Sequence, residues 1–161
     1  MDPKAPTVRE AIRQTKPFAS RYQEGALALL LTTEVVRWRF AQLLATRGEL
    51  TLQQYNVLRI LRGAGAGGLP TLAIVERMVE HTPGITRLID RLEAKGLVAR
   101  DRSAADRRQV LCRITPAGLA ELKALDPAVN ALDEDALGSL TQTEVATLIR
   151  LLNKIRTHPS P

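Results

Sequence analysis

Residues 83 to 91 read Pro-Gly-Ile-Thr-Arg-Leu-Ile-Asp-Arg. Thr86 and Arg87 carry groups suited to base edges, because an arginine fork can grip both acceptors of a guanine. Gly84 has no side chain and lets the backbone approach a groove closely. Thr82 can give its hydroxyl to a helix cap or to a phosphate, and Arg91, one turn beyond Arg87, suits a phosphate. A second set follows at Arg100, Arg102, Asp106, Arg107 and Arg108. Arg107 and Arg108 fit insertion into a narrow, electronegative minor groove. Arg100 and Arg102 flank them and suit phosphate neutralisation. The plain alternative is a solvated surface in which Arg87 pairs with Asp90, or Arg91 with Asp90 or Glu93, beside a hairpin tip kept polar for solubility.

Taken alone the helix face fits the plain alternative, and the basic ribbon downstream of it tips the reading to DNA. The 161 residues carry a net charge of +6, from 23 Lys and Arg against 17 Asp and Glu. Residues 82–115 concentrate it, with eight basic side chains (Arg87, Arg91, Lys95, Arg100, Arg102, Arg107, Arg108, Arg113) against four acidic ones (Asp90, Glu93, Asp101, Asp106). Such a segment attracts polyanions. Catalytic chemistry is poorly served: there is no Ser/His/Asp order, no pair of carboxylates in an apolar setting and no glycine-rich nucleotide loop. The run Gly63 to Gly68 lacks the Gly-Lys-Ser/Thr of a P-loop. A non-enzymatic chain without a cofactor is expected. His81, His158 and Cys112 are too scattered to hold a metal, and Cys112 reads as a small buried apolar residue. No apolar run is long enough to span a bilayer and no secretory signal is apparent, so a cytoplasmic protein without membrane partners is expected.

Several elements must position these residues. A short helix from Thr7 to Thr15 and a long one over 20–47, stopped by Gly48, open the chain. Thr51 with Gln54 forms a capping box, and Leu50 with Tyr55 a hydrophobic staple, for a helix to Gly63. A short helix from about Thr71 to Val79 has Leu72, Val75 and Val79 as its inner stripe. Thr82 as N-cap and Pro83 at the first helical position start the next. There Ile85, Leu88, Ile89 and Leu92 form the buried face and Gly96 the stop. Leu97–Arg100 and Gln109–Ile114 read as two strands around a loop at 101–108. Thr115 caps a long helix that Asp126-Pro127 should kink or break. Thr141 with Glu144 caps the last helix, whose stripe is Val145, Leu148, Ile149, Leu152 and Ile155. The fold expected is mainly α with a small β-wing. A winged helix-turn-helix lobe (49–115) is flanked by N-terminal (1–48) and C-terminal (116–161) helices. The flanking helices are apolar on one face with too little of their own lobe to cover them, so a homodimer is expected.

The stretch from Thr51 to Gly118 resembles the multiple-antibiotic-resistance regulator (MarR) family of winged-helix transcription factors. The matching residues are Leu92-Glu93-Ala94-Lys95-Gly96-Leu97-Val98-Ala99-Arg100, Asp106-Arg107-Arg108 and Ile114-Thr115-Pro116-Ala117-Gly118. The resemblance implies a triangular homodimer with intertwined terminal helices. It implies a repressor, less often an activator, released from a palindromic double-stranded DNA operator by a small aromatic or anionic effector bound between the dimer and DNA lobes. It also implies that Arg108 enters the minor groove and that Asp106 holds it. Arg37, Trp38, Tyr55 and Arg59 are candidate effector-pocket residues, although the helical spacing of Trp38 and Tyr55 favours core or dimer packing for those two. The rival readings are a winged-helix protein-interaction module and a ligand-binding protein without DNA affinity.

Overall fold

In a computed structural model, which describes residues 6–80, 83–102 and 109–157, the fold combines seven α-helices with a three-stranded antiparallel sheet. The elements are α1 (Val8–Ala11), α2 (Arg21–Arg47), α3 (Leu52–Ala64), β1 (Leu69–Pro70), α4 (Thr71–Val75), α5 (Ile85–Ala94), β2 (Val98–Arg102), β3 (Val110–Ile114), α6 (Pro116–Leu137) and α7 (Gln142–Arg156). Helices α3, α4, α5 and α6 pack against the sheet.

The caps form where short-range side-chain chemistry demands them. At α3 the Thr51 amide donates to Gln54 Oε1 (3.0 Å) and the Gln54 amide donates back to Thr51 Oγ1 (3.2 Å). Thr141 and Glu144 repeat the device at α7. There the Thr141 amide and hydroxyl donate to the Glu144 carboxylate and hold its pKa below the ordinary value. Gly96 takes a left-handed conformation (φ +70°) just past α5, as a helix stop requires.

One apolar cluster holds the fold together. Leu44 of α2, Val57, Leu58 and Leu61 of α3, Ile74 of α4, Ile89 and Leu92 of α5, Val98 of β2, Cys112 of β3 and Leu122 and Leu125 of α6 meet in it. Asp126 of α6 also accepts two hydrogen bonds from one Arg62 nitrogen of α3 (2.8 and 3.0 Å). The long helices α2 and α6 therefore share their inner ends with the small lobe and extend beyond it.

Five expectations need correction. The first helix spans only Val8–Ala11, because Arg13 turns left-handed (φ +53°) directly after it. The helix after the glycine loop stops at Val75, and its buried residue is Ile74; Leu72 and Val79 are 69% and 89% exposed. A five-residue helix presents barely more than one turn, so no i, i+3, i+7 stripe exists to be buried. Thr82 does not cap α5 and Pro83 is not its first residue. Gly84 is the N-cap, left-handed at φ +81° and without a side-chain capping bond, and Pro83 lies in the turn before it. Thr82 itself lies outside the described residues. The chain runs through Pro127 as one unbroken helix. Buried Leu125 and Val129 clamp that turn on either side, and such packing outweighs the lost backbone bond. The sheet also has a third strand, β1, pairing Leu69 with Cys112 and Pro70 with Leu111. It is an edge strand, where a proline costs no ladder bond.

Candidate nucleic-acid interface

The two faces of α5 separate cleanly. Ile89 and Leu92 are fully buried and Ile85 and Leu88 partly so, whereas Thr86, Arg87, Asp90 and Arg91 are exposed. Because Gly84 brings no capping side chain, the first amides of α5 keep their donors for an outside acceptor. Pro83, Gly84, Arg87, Leu88 and Arg91 line a shallow depression of about 370 Å³ together with Thr51 and Gln53 at the start of α3. Sequence reasoning missed Thr51 and Gln53. The signal was present: the first helix of a helix-turn-helix starts beside the second and crosses the same backbone.

Arg100 departs from its expected setting. Its Nη2 lies 2.6 Å from Asp90 Oδ1 and its Nη1 3.0 Å from Glu93 Oε2, and Nη2 also donates to the Thr86 carbonyl (3.3 Å). Burial works against the charge, but the hydrogen bond to Asp90 and the charges of Glu93 and Asp90 outweigh it. Its pKa stands above the ordinary arginine value. The side chain expected to face a phosphate is thus bound to α5. Among the described residues, Arg87, Arg91 and Arg102 have no carboxylate partner.

The wing strands β2 and β3 pair from Val98–Ile114 to Arg102–Val110. On the face opposite Arg100, Arg113 pairs with Asp101 (3.5 Å) and donates to the Ala66 carbonyl. Asp106, Arg107 and Arg108, like Thr82 and His81, lie outside the described residues. Cys112 is fully buried, as its strand parity requires. No metal-binding cluster occurs among the described residues, and none of their helices is long and apolar enough to cross a membrane.

A second cavity of about 400 Å³ opens between α2, α3 and α6. Arg37, Tyr55 and Arg59 line it, with Phe40, Leu52 and Val129 as apolar walls. Trp38 does not line it and is 65% exposed. Successive helical residues point about 100° apart, so the turn that aims Thr33, Arg37 and Phe40 inward rotates Trp38 away. Inside, Arg37 is held by Glu80 (2.7 Å), whose hydrogen bond and charge raise the arginine pKa. Burial raises the pKa of the Tyr55 hydroxyl against the pull of Arg59. The Arg59 guanidinium stands over the Tyr55 ring, 5.9 Å from its centre, and has no carboxylate partner among the described residues.

The MarR family profile matches residues 50–110, from two residues before α3 to the first residue of β3. The transcriptional regulator HosA of Escherichia coli O157:H7 is 32% identical over 107 residues, which cover 66% of this chain and 78% of HosA. A MarR transcription factor of Planctomyces limnophilus is 41% identical, with a TM-score of 0.65 over 85% of this chain and 98% of that one. Bordetella bronchiseptica BpsR, solved in work on the regulation of its DNA binding by 6-hydroxynicotinic acid, is 27% identical. Its TM-score is 0.76, over 89% of this chain and 100% of its own. The exposed arginine face of α5, the two-stranded wing and these relatives agree: the chain belongs to the MarR family of winged-helix, DNA-binding transcriptional regulators.

Proposed function

We propose that the protein acts as a homodimer on a palindromic operator and represses transcription until a small effector releases it. Thr86 and Arg87 read base edges in a major groove, Gly84 permits the approach, and Thr82, Pro83 and Arg91 seat the backbone. The wing residues Arg102, Asp106, Arg107 and Arg108 serve the adjacent minor groove. The observation that carries this reading is the pair Arg87 and Arg91. They stand one turn apart, exposed and without carboxylate partners among the described residues, beside an uncapped helix start. Arg87→Ala is expected to weaken binding to the protein's preferred duplex by about 1–3 kcal/mol and to relax preference at one base position. Arg91→Ala is expected to weaken all sequences alike and to lower the slope of log affinity against log salt by about one. Fluorescence anisotropy on duplexes enriched from a random-sequence library measures both. Unchanged affinity and unchanged base preference in Arg87→Ala would contradict the assignment.

The second cavity is the effector site in this reading. Its apolar walls suit a ring, and Arg59, stacked over Tyr55 without a carboxylate partner among the described residues, suits an anion. BpsR, regulated by an aromatic acid, supports that class of ligand. A panel of aromatic carboxylates that includes 6-hydroxynicotinate is expected to contain members that release the duplex from the native protein but not from Arg59→Ala. If no member shifts the duplex affinity of the native protein, the effector assignment fails.

A further inference from the structure

We propose that Arg100 is a positioning residue: by occupying the carboxylates of Asp90 and Glu93 it keeps the arginines of α5 available to DNA. This rests on the reading of α5 as the recognition helix.

Asp90 follows Arg87 by three residues, the spacing at which side chains on a helix meet and pair. Without another partner, Asp90 would draw Arg87 down onto the helix surface. Glu93 would add a second negative charge to the side facing a polyanion, where like charges oppose association. Arg100 prevents both. It reaches from β2 and contacts Thr86, Asp90 and Glu93, which lie at i, i+4 and i+7 on one face of α5. Arg87 and Arg91 occupy the neighbouring face and remain exposed.

The sheet register makes the contact possible. Arg100 sits opposite Cys112, and Val98, two residues earlier, sits opposite Ile114. Directly opposed residues of an antiparallel pair share a face. Val98 and Cys112 are buried in the core beneath α5. The next outward position on that face is Arg100, at the edge of the core and only 24% exposed. A guanidinium whose two terminal nitrogens are spent on α5 is poorly placed to seat a phosphate as well. Arg102, two residues further along the same face and without a carboxylate partner among the described residues, is the wing-strand cation left for that task.

The test compares native protein, Asp90→Asn with Glu93→Gln, Arg100→Ala, and Arg100→Ala carrying Asp90→Asn and Glu93→Gln. Each is titrated against a short labelled duplex enriched by the native protein from a random-sequence library, at several salt concentrations. Arg100→Ala is expected to bind about tenfold more weakly. Removing the two carboxylates from Arg100→Ala is expected to restore affinity to within about threefold of native with the native salt slope, whereas Asp90→Asn with Glu93→Gln in the native protein is expected to change affinity by less than that, the non-additivity that interacting residues show. A triple variant that stays weak, with its slope lower by about one, would instead mark Arg100 as a phosphate contact and overturn the proposal. A triple variant that stays weak and melts earlier would reduce Arg100 to a brace of the fold and overturn it too. If the native protein enriches no sequence, the recognition-helix reading itself fails, an outcome separate from failure of rescue in a protein that binds.

Discussion

Leu30→Glu combined with Ile149→Glu is expected to turn the protein from dimer into monomer and to lower its affinity for an enriched duplex by about 100-fold or more. The two positions lie on helices that their own chain leaves uncovered. Leu30, Val35 and Trp38 of α2 are exposed, as are Ile149, Leu151 and Ile155 of α7. No residue of α7 is buried, although the helix is amphipathic and fully capped. Large apolar side chains left exposed on two helices suit an association face, and a second copy of the chain is the occupant proposed above. A two-fold axis would set two α5 helices in successive major grooves. Two linked half-site contacts raise affinity far above one, and the loss is correspondingly steep when the link is cut. Sedimentation velocity and duplex titration check the two halves of the expectation. A variant that remains dimeric, or a monomer that binds as tightly as native, would contradict it. Neither side chain belongs to the buried cluster, so the small lobe should keep its circular dichroism.

Gly118→Ala is expected to destabilise the fold by about 3 kcal/mol, because overpacking a filled site of this kind has no room to relax. A methyl group at Gly118 would stand 2.4 Å from the Leu97 carbonyl oxygen and 2.7 Å from Ile114 Cγ1. The oxygen cannot retreat cheaply, since it accepts from the Thr115 amide (3.1 Å). Thr115 meanwhile donates its hydroxyl to the Gly96 carbonyl (2.7 Å) and accepts from the Gly118 amide (3.0 Å). This knot joins the end of α5, the start of β2, the end of β3 and the start of α6. Gly63→Ala is the matched control. Its methyl would meet nothing within 4 Å on α3, and alanine in an open helical site is expected to stabilise by about 0.5–1 kcal/mol. Thermal unfolding should separate the two variants with opposite signs. A Gly118→Ala protein that melts like native would show that the junction can open without cost.

What could be read from the sequence was local. The capping boxes at Thr51 and Thr141, the stop at Gly96 and the Thr115–Pro116 start of α6 need only neighbours within a few residues, and each formed as its residues dictate. The apolar spacing of α5 was also legible, because ten residues give a repeat long enough to show a face. Legibility failed where a distant partner decides. β1 is a strand only because β3 lies beside it. Ile74, rather than Leu72 or Val79, is buried because of how α4 sits against α3 and α5. Pro127 is carried inside α6 by packing on both sides of it. In the site, Arg87 and Arg91 were visible from the helix pattern. Arg100 reads in one dimension as one more basic residue of the wing, and its partners appear only once the strand register sets it over α5. Trp38 left the cavity by the rotation of a single residue, which periodicity cannot resolve when a helix has apolar residues around most of its circumference.

Hydroxyl-radical footprinting of the native protein on a duplex enriched from a random-sequence library tests the central claim most directly. The expected result is an enriched sequence with dyad symmetry and two equivalent protected patches about 34 Å apart, one turn of the double helix. A library that yields no enriched sequence, or a single unsymmetrical patch, would contradict a paired reading of DNA by the two α5 helices.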